Sequence, residues 1–307
     1  MNSVYQVAGV SKQAVNKYNN RRKNLDPKLE ELIRQVDLVR KVHRGCGLEK
    51  LYDTVKPDWM GRDKFISLFM RLGYRVRKLK NYRRTTYSTK IYYPNLIEGL
   101  LVWDKNRVWQ TDLTYYQVGD RFFYLVFIID IYTKVIRGYQ VSNHMRAEAN
   151  LAALQMALKG QGQVNGLIHH SDRGSQFIDL EYKGQLEANG MNISMGKIAQ
   201  ENAYAERING TIKNEYLDFK SIRSFEQLKK EVKIAVDHYN TKRIHKHLPG
   251  KQTPKGFEKQ LVLLETQNRP KVIVYAEGKP KIRAASSRPD FTPETEPQDH
   301  VCPMVTN

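Results

Sequence analysis

"RVWQTDLTYYQVGDRFFYLVFIIDIYTKVIRGYQVS", Arg107–Ser142, decides the fold. Its β-branched and aromatic residues, cut by the short connections "GD" and "TK", predict three antiparallel strands. The middle strand, from Arg121, is almost continuously apolar, as a central strand buried on both faces should be. One residue breaks the pattern. Asp112 stands in mid-strand between apolar and aromatic neighbours, where an unpaired carboxylate is expensive to bury.

Downstream, "RAEANLAALQMALKG" predicts a helix ending at Gly160, and "GLIHHSD" a buried strand ending in Asp172. "SQFIDLEYKGQLEANG" predicts a helix capped by Ser175, and "MNISM" a short strand. "QENAYAERINGTIKNEY", Gln200–Tyr216, reads as one helix. Ala205, Ile208, Ile212 and Tyr216 recur at three- and four-residue steps and form its apolar stripe. Glu206 lies beside that stripe, in line with Asn202, Asn209 and Lys213. A further amphipathic helix, "SFEQLKKEVKIAVDHYN", runs into a basic, His-containing loop. Three antiparallel strands, helix, strand, helix, strand, helix is the ribonuclease H-like α/β order, a mixed five-stranded sheet with helices.

In that order strand four pairs beside strand one, so Asp112 and Asp172 become neighbours and Glu206 faces them across a cleft. Three carboxylates so placed repel, and without a cation at least one has a raised pKa. Hard oxygen ligands with open positions suit Mg²⁺, which keeps waters and substrate phosphates as its other ligands. Two such ions about 4 Å apart would clamp the attacking and leaving oxygens of a phosphoryl displacement. The bland alternative makes Glu206 a solvated surface residue and "DRGSQ" a plain strand-to-helix turn. Glu201, Glu215 and Asp130 compete for the third ligand position, although an acid placed like Asp130 more often closes a turn. The histidines at 169, 170, 238, 245 and 247 lack the fuller set and regular spacing of a zinc site. Two cysteines, Cys46 and Cys302, are too few for a disulfide framework.

Charge points to a polyanion. Residues 1–100 hold 22 Lys and Arg against 9 Asp and Glu, whereas the remaining 207 residues hold 29 against 23. No apolar run approaches a membrane span and the start lacks the order of a secretion signal, which predicts a cytoplasmic, reducing setting. "GVSKQAVNKYNNRRK" has a helix-turn-helix flavour, with Ser11 as N-cap of a short basic helix. A separate helix follows, with Asp26 as N-cap, Pro27 at its first position, and Leu29, Leu32, Ile33, Val36 and Val39 on its buried face. "GLEKLYDTV" and "GRDKFISLFMRLGY", the latter stopped by Gly73, form a second pair of helices before a basic extension. Arg75, Arg77, Lys78, Arg83 and Arg84 in that extension are candidate DNA contacts. Tyr82, Tyr87, Tyr92 and Tyr93 either stack on nucleic acid or pin a linker to the neighbouring domain.

"WQTDLTY", "HSDRGSQF", "ENAYAERINGTIKNEY" and "YNTKRIHKHLPGKQTP" together resemble the integrase core of transposases from bacterial insertion sequences. The nearest group is the Orf B products of the insertion-sequence-three family, relatives of retroviral integrase. The resemblance implies that Asp112, Asp172 and Glu206 are the D-D-E triad and hold divalent metal, Mg²⁺ or Mn²⁺, two ions to a site. It implies that Lys213, seven residues after Glu206, is the family's basic residue there; with Asn209 and Arg173 it is a candidate DNA contact. It further implies double-stranded DNA as substrate and target, and a homo-oligomer on DNA at the nucleoid. An upstream Orf A product or fusion is the expected partner. The family's reaction nicks one strand at an element end, and the freed 3′-OH attacks near the other end. Two departures stand out: 33 residues separate Asp172 from Glu206 where the family has 35, and Glu201-Asn202 replaces an Asp-Asn pair.

The domain organisation expected is an all-α helix-turn-helix region (1–80), a basic Tyr-rich linker (81–104), the catalytic core (105–260) and a C-terminal extension (261–307), disordered from about residue 283. Two other functions share these features: a ribonuclease H-like nuclease that cuts without joining, and a catalytically inactive DNA-binding regulator.

Overall fold

The computed structural model describes residues 11–76, 91–162, 164–276 and 294–295. The chain forms two compact units, Met1–Arg77 and Lys78–Asn307.

The first unit is helical. Helix α1 spans Lys12–Val42, and the Ser11 hydroxyl accepts the Ala14 N–H at its start, as expected. The expected break at Asp26–Pro27 does not occur, so the short basic helix and the separate helix expected after it are one long helix with Pro27 inside it. Pro27 is exposed; water can take the one backbone bond it removes, and the turns on either side carry the helix through. Helices α2 (Leu48–Val55) and α3 (Arg62–Arg71) follow. Leu32, Val36, Leu51, Phe65 and Phe69 form their shared core. Gly73 ends α3 at φ +84°, letting Tyr74 N–H reach Phe69 C=O and its own N–H reach Met70 C=O. Those two bonds make a Schellman stop. Arg75 is exposed, whereas Arg77, Lys78, Arg83 and Arg84 lie outside the described residues.

In the second unit, β1 (Val108–Val118), β2 (Arg121–Asp130) and β3 (Ile136–Ser142) form the expected antiparallel meander. Helix α4 (Ala147–Leu158) leads to β4 (Ile168–Ser171), α5 (Leu180–Ala188) and β5 (Asn192–Met195). The sheet order is β3-β2-β1-β4-β5, with β4 parallel to β1 and β5 parallel to β4. This is the ribonuclease H-like sheet. Odd-numbered Trp109 and Leu113 of β1 join α4 and α5 in one core layer. The other layer packs Leu125, Phe127 and Ile129 of β2 against Ile208, Ile212 and Tyr216. Helices α6 (Ala203–Thr211), α7 (Phe225–Thr241) and α8 (Pro254–Leu261) complete the unit.

Two expectations need correction. Helix α5 starts at Leu180, where the Asp179 carboxylate accepts the N–H groups of Glu181 and Tyr182; Ser175 lies in a separate 3₁₀ turn, Ser175–Phe177, and does not cap it. A charged oxygen serving two donors is the stronger cap. Gln200–Tyr216 is helical but not one α-helix. A 3₁₀ turn (Ala199–Asn202) precedes α6, and a π turn (Ile212–Leu217) follows it.

Tyr93 is buried in the core, and Leu101–Val102 pairs antiparallel with Val272–Ile273, so the chain before β1 is packed from residue 93. Tyr82 and Tyr87 fall outside the described residues, as does the expected disordered tail except Glu294–Thr295, which pairs with Ile91–Tyr92.

Strand β3 touches α4 closely at Gly138. A Cβ there would stand 2.0 Å from the Ala153 carbonyl oxygen and 2.8 Å from the Ala157 nitrogen. Backbone cannot yield as a side-chain tip can. Gly138→Ala is therefore expected to lower unfolding stability by about 3 kcal/mol, at the upper end of overpacking costs, as measured by urea denaturation.

Candidate active site

Asp112 lies in β1 on the same face as Gln110 and Thr114, because alternate strand residues point the same way. That face carries a series of side-chain bonds to the chain around α6. Gln110 Nε2 donates to Glu201 C=O at 2.8 Å, and its Oε1 accepts Tyr204 N–H at 3.0 Å and Ala205 N–H at 3.3 Å. Asn209 Nδ2 donates to Asp112 Oδ2 at 2.8 Å. Lys213 Nζ donates to the Thr114 hydroxyl at 2.8 Å and lies 5.4 Å from the centre of the Tyr115 ring. Asp172 follows the C-terminal end of β4, the strand hydrogen-bonded beside β1. Its Oδ1 accepts Gly174 N–H at 3.1 Å.

The three acids act on one another. Burial pushes the Asp112 pKa up to about 8, with the charges of Asp172 and then Glu206 adding to it. The Leu113 N–H and Asn209 amide pull the other way. Partial burial and then Asp172 raise Glu206 as well, although its side chain opens to solvent. The structure thus brings together the acids expected from the sequence. Among the described residues, no group of three His, Cys, Asp or Glu side chains forms a ready cage for an ion. A Mg²⁺ site needs none: one or two carboxylates suffice, with water and substrate phosphate supplying the rest. The donors present are hard oxygens that repel without a cation, which fits that ion.

The competing acids are engaged elsewhere. The Glu201 carboxylate accepts the N–H groups of Lys197 and Ile198. Glu215 forms a paired ion bridge to Arg243 at 2.8 and 3.0 Å. Asp130 is fully buried and accepts the N–H groups of Asn106, Tyr132 and Thr133, closing the β2–β3 turn. Burial lowers both His169 and His170 to a pKa of about 3, so both are neutral; His169 meets the Tyr182 hydroxyl and His170 the Ser194 hydroxyl.

Of the candidate DNA contacts, Asn209 is 5% exposed with its amide on Asp112, which places it under the acids instead of on the surface. Arg173 is half-buried directly after Asp172. Lys213 has a pKa lowered by burial and countered by the charges of Asp218 and Asp112. Sequence reasoning missed Gln110 and gave Asn202 no bonding role. The signal was present: an amide two residues before a mid-strand acid must share its face.

Two family models described as "Integrase core domain" match residues 104–200 and 190–254. The insertion element IS600 uncharacterized 31 kDa protein of Shigella sonnei is 33% identical over 66% of this chain and 76% of its own length. The transposase for insertion sequence element IS904 of Lactococcus lactis is 31% identical over 59% of this chain and 72% of its own. Transposase InsF for insertion sequence IS3A of Escherichia coli K12 is 30% identical over 50% and 54%. The family-model matches span the sheet that presents Asp112 and Asp172, and this chain belongs to the integrase-core transposases of bacterial insertion sequences, in the insertion-sequence-three family.

Proposed function

We propose that Asp112, Asp172 and Glu206 hold divalent metal, Mg²⁺ or Mn²⁺, and that the chain uses it to cut one DNA strand at an element end and join the freed 3′-OH to a second phosphodiester. The observation that carries this reading is the placement of Asp112 in β1 beside the end of β4, where Asp172 follows, and within electrostatic reach of Glu206 on α6: beyond burial, Asp172 and Glu206 raise Asp112, and Asp172 raises Glu206. Structural carboxylates in this protein, such as Asp130, are satisfied by backbone N–H groups and a guanidinium instead. When bound, the metal would lower the pKa of the attacking oxygen and neutralise charge on the leaving oxygen.

The chain's own residues supply position. Asn209 fixes one oxygen of Asp112, leaving the other directed by the Leu113 N–H. Gly174 N–H orients Asp172 at the strand end. Lys213, held by Thr114, sets a positive charge one strand step from Asp112, where a phosphate beside the scissile bond would meet it. Arg173 and Arg75 are proposed as further contacts to double-stranded DNA.

The test uses labelled DNA carrying the ends of the element that encodes the chain, with Mg²⁺ or Mn²⁺. Joined products support transposition. Nicked DNA without joining favours a hydrolytic nuclease, and DNA binding with neither product favours an inactive regulator.

A further inference from the structure

Two buried amides couple the strand bearing Asp112 to the helix bearing Glu206, and nothing in the proposed chemistry uses them. Gln110 is 1% exposed and Asn202 is 3% exposed. Gln110, on the strand, gives three bonds to the backbone entering α6: one to Glu201 C=O and two from Tyr204 and Ala205 N–H. Asn202, before the helix, returns one: its Nδ2 donates to Thr111 C=O at 2.9 Å. The exchange is reciprocal, each side chain bonding the other element's backbone. Gln110 is two residues before Asp112, and Ala205 is next to Glu206.

Apolar packing alone would hold α6 less exactingly. Ile208 and Ile212 bury one side of the helix, but hydrophobic contact is non-directional and tolerates sliding. Directional bonds from one amide to two successive N–H groups and a carbonyl do not. Those two N–H groups also belong to the first turn of α6, whose donors have no partner inside the helix. Losing Gln110 would therefore free the helix start and leave buried donors unsatisfied.

We infer that Gln110, with Asn202, is a positioning residue for the metal site: the pair sets where Glu206 stands relative to Asp112, and so sets metal affinity without touching metal. This inference rests on the metal-binding reading above. Partners one shell out from a metal's ligands characteristically change affinity by about 10- to 100-fold, and Gln110 is placed to act in that range.

The test is a double-mutant cycle on the full chain, reading Mn²⁺ affinity from the metal-induced rise in melting temperature. Gln110→Met keeps the volume and removes every bond of the amide. It is expected to weaken Mn²⁺ binding by about tenfold or more. In a Glu206→Gln background the same change should have almost no further effect, because the ligand being positioned is gone. Leu186→Ala, in the core layer on the opposite face of the sheet, should lower the metal-free melting temperature while leaving Mn²⁺ affinity as it was. Should Gln110→Met not fold, Asn202→Ala removes only the returning bond and enters the same cycle. Equal losses with Glu206 intact and in the Glu206→Gln background, or full affinity in the amide variant, would overturn the positioning role. Absence of saturable Mn²⁺ binding in the unaltered chain would instead overturn the metal-site reading itself.

Discussion

Glu206→Gln lowers the rate of strand cleavage by at least about 10³-fold, a barrier increase of about 4 kcal/mol, while leaving the unfolding midpoint unchanged or higher. The two halves of this expectation have separate causes. Glutamine keeps the size and helix propensity of glutamate, and the residue is open to solvent, so folding has little to lose. Removing one of three repelling acids relieves strain in the metal-free protein. Rate falls because a neutral amide is a poor ligand for a hard cation. Glu201→Gln, five residues earlier, should do the reverse. Its carboxylate closes the turn before α6 through Lys197 and Ile198 N–H, so that variant loses stability before it loses cleavage per folded molecule. Cleavage of labelled element ends, together with urea unfolding of both variants, separates the cases. Retention of a tenth of the activity in Glu206→Gln would remove it from the triad.

Metal-free protein is expected to lose stability as pH rises from about 5 to about 8, and Asp112→Asn should abolish most of that loss. The sign follows from the folded pKa of about 8, raised above the roughly 3.9 of an unfolded aspartate. A raised acid binds its proton more tightly when folded. Its contribution is therefore complete below the unfolded value and disappears as pH climbs through the folded one. Solvent reaches a half-buried carboxylate, so the loss is expected to be on the order of 2 kcal/mol, well below what the whole displacement allows. Saturating Mg²⁺ should restore stability at pH 8 in the unaltered chain and not in Asp112→Asn. Urea titrations at pH 5 and pH 8, with chelator or with Mg²⁺, measure each of these. A flat profile in chelator would show that the acids are not crowded as the geometry places them.

The sheet was legible because its signals are local. The connections around Gly119 and Lys134 and the apolar run of β2 needed no tertiary information, and two carboxylates at fixed places in β1 and after β4 followed from strand order. Glu206 was legible through its position beside the stripe of Ala205, Ile208 and Ile212, all of which are buried. What escaped was decided by competition between neighbours. Asp26–Pro27 carries a good local start signal, yet α1 runs through it. Ser175 and Asp179 are both plausible caps, and the one with charge and two available donors prevails. The π turn after Thr211 has no composition mark at all. Asn209 looked like a surface contact because i+3 spacing from Glu206 says which side of the helix it shares, not how close the strand passes. Gln110 was overlooked for the complementary reason: its partners are backbone groups 91 to 95 residues away.

The bonds from β1 to α6 and the turn after it pair Gln110 with Ala205, Asp112 with Asn209, and Thr114 with Lys213. Each step is two residues on the strand and four on the helix, and both elements run the same way. A strand advances about 6.6 Å over two residues, and an α-helix about 6.0 Å over four. The elements thus behave as the two scales of a vernier, whose marks coincide over a short interval and then drift apart. Asp112 sits at the middle mark. A side chain moved two steps along either scale would miss its counterpart by more than an ångström, so the bond between Asp112 and Asn209 depends on the arithmetic of helix and strand as much as on the two residues themselves.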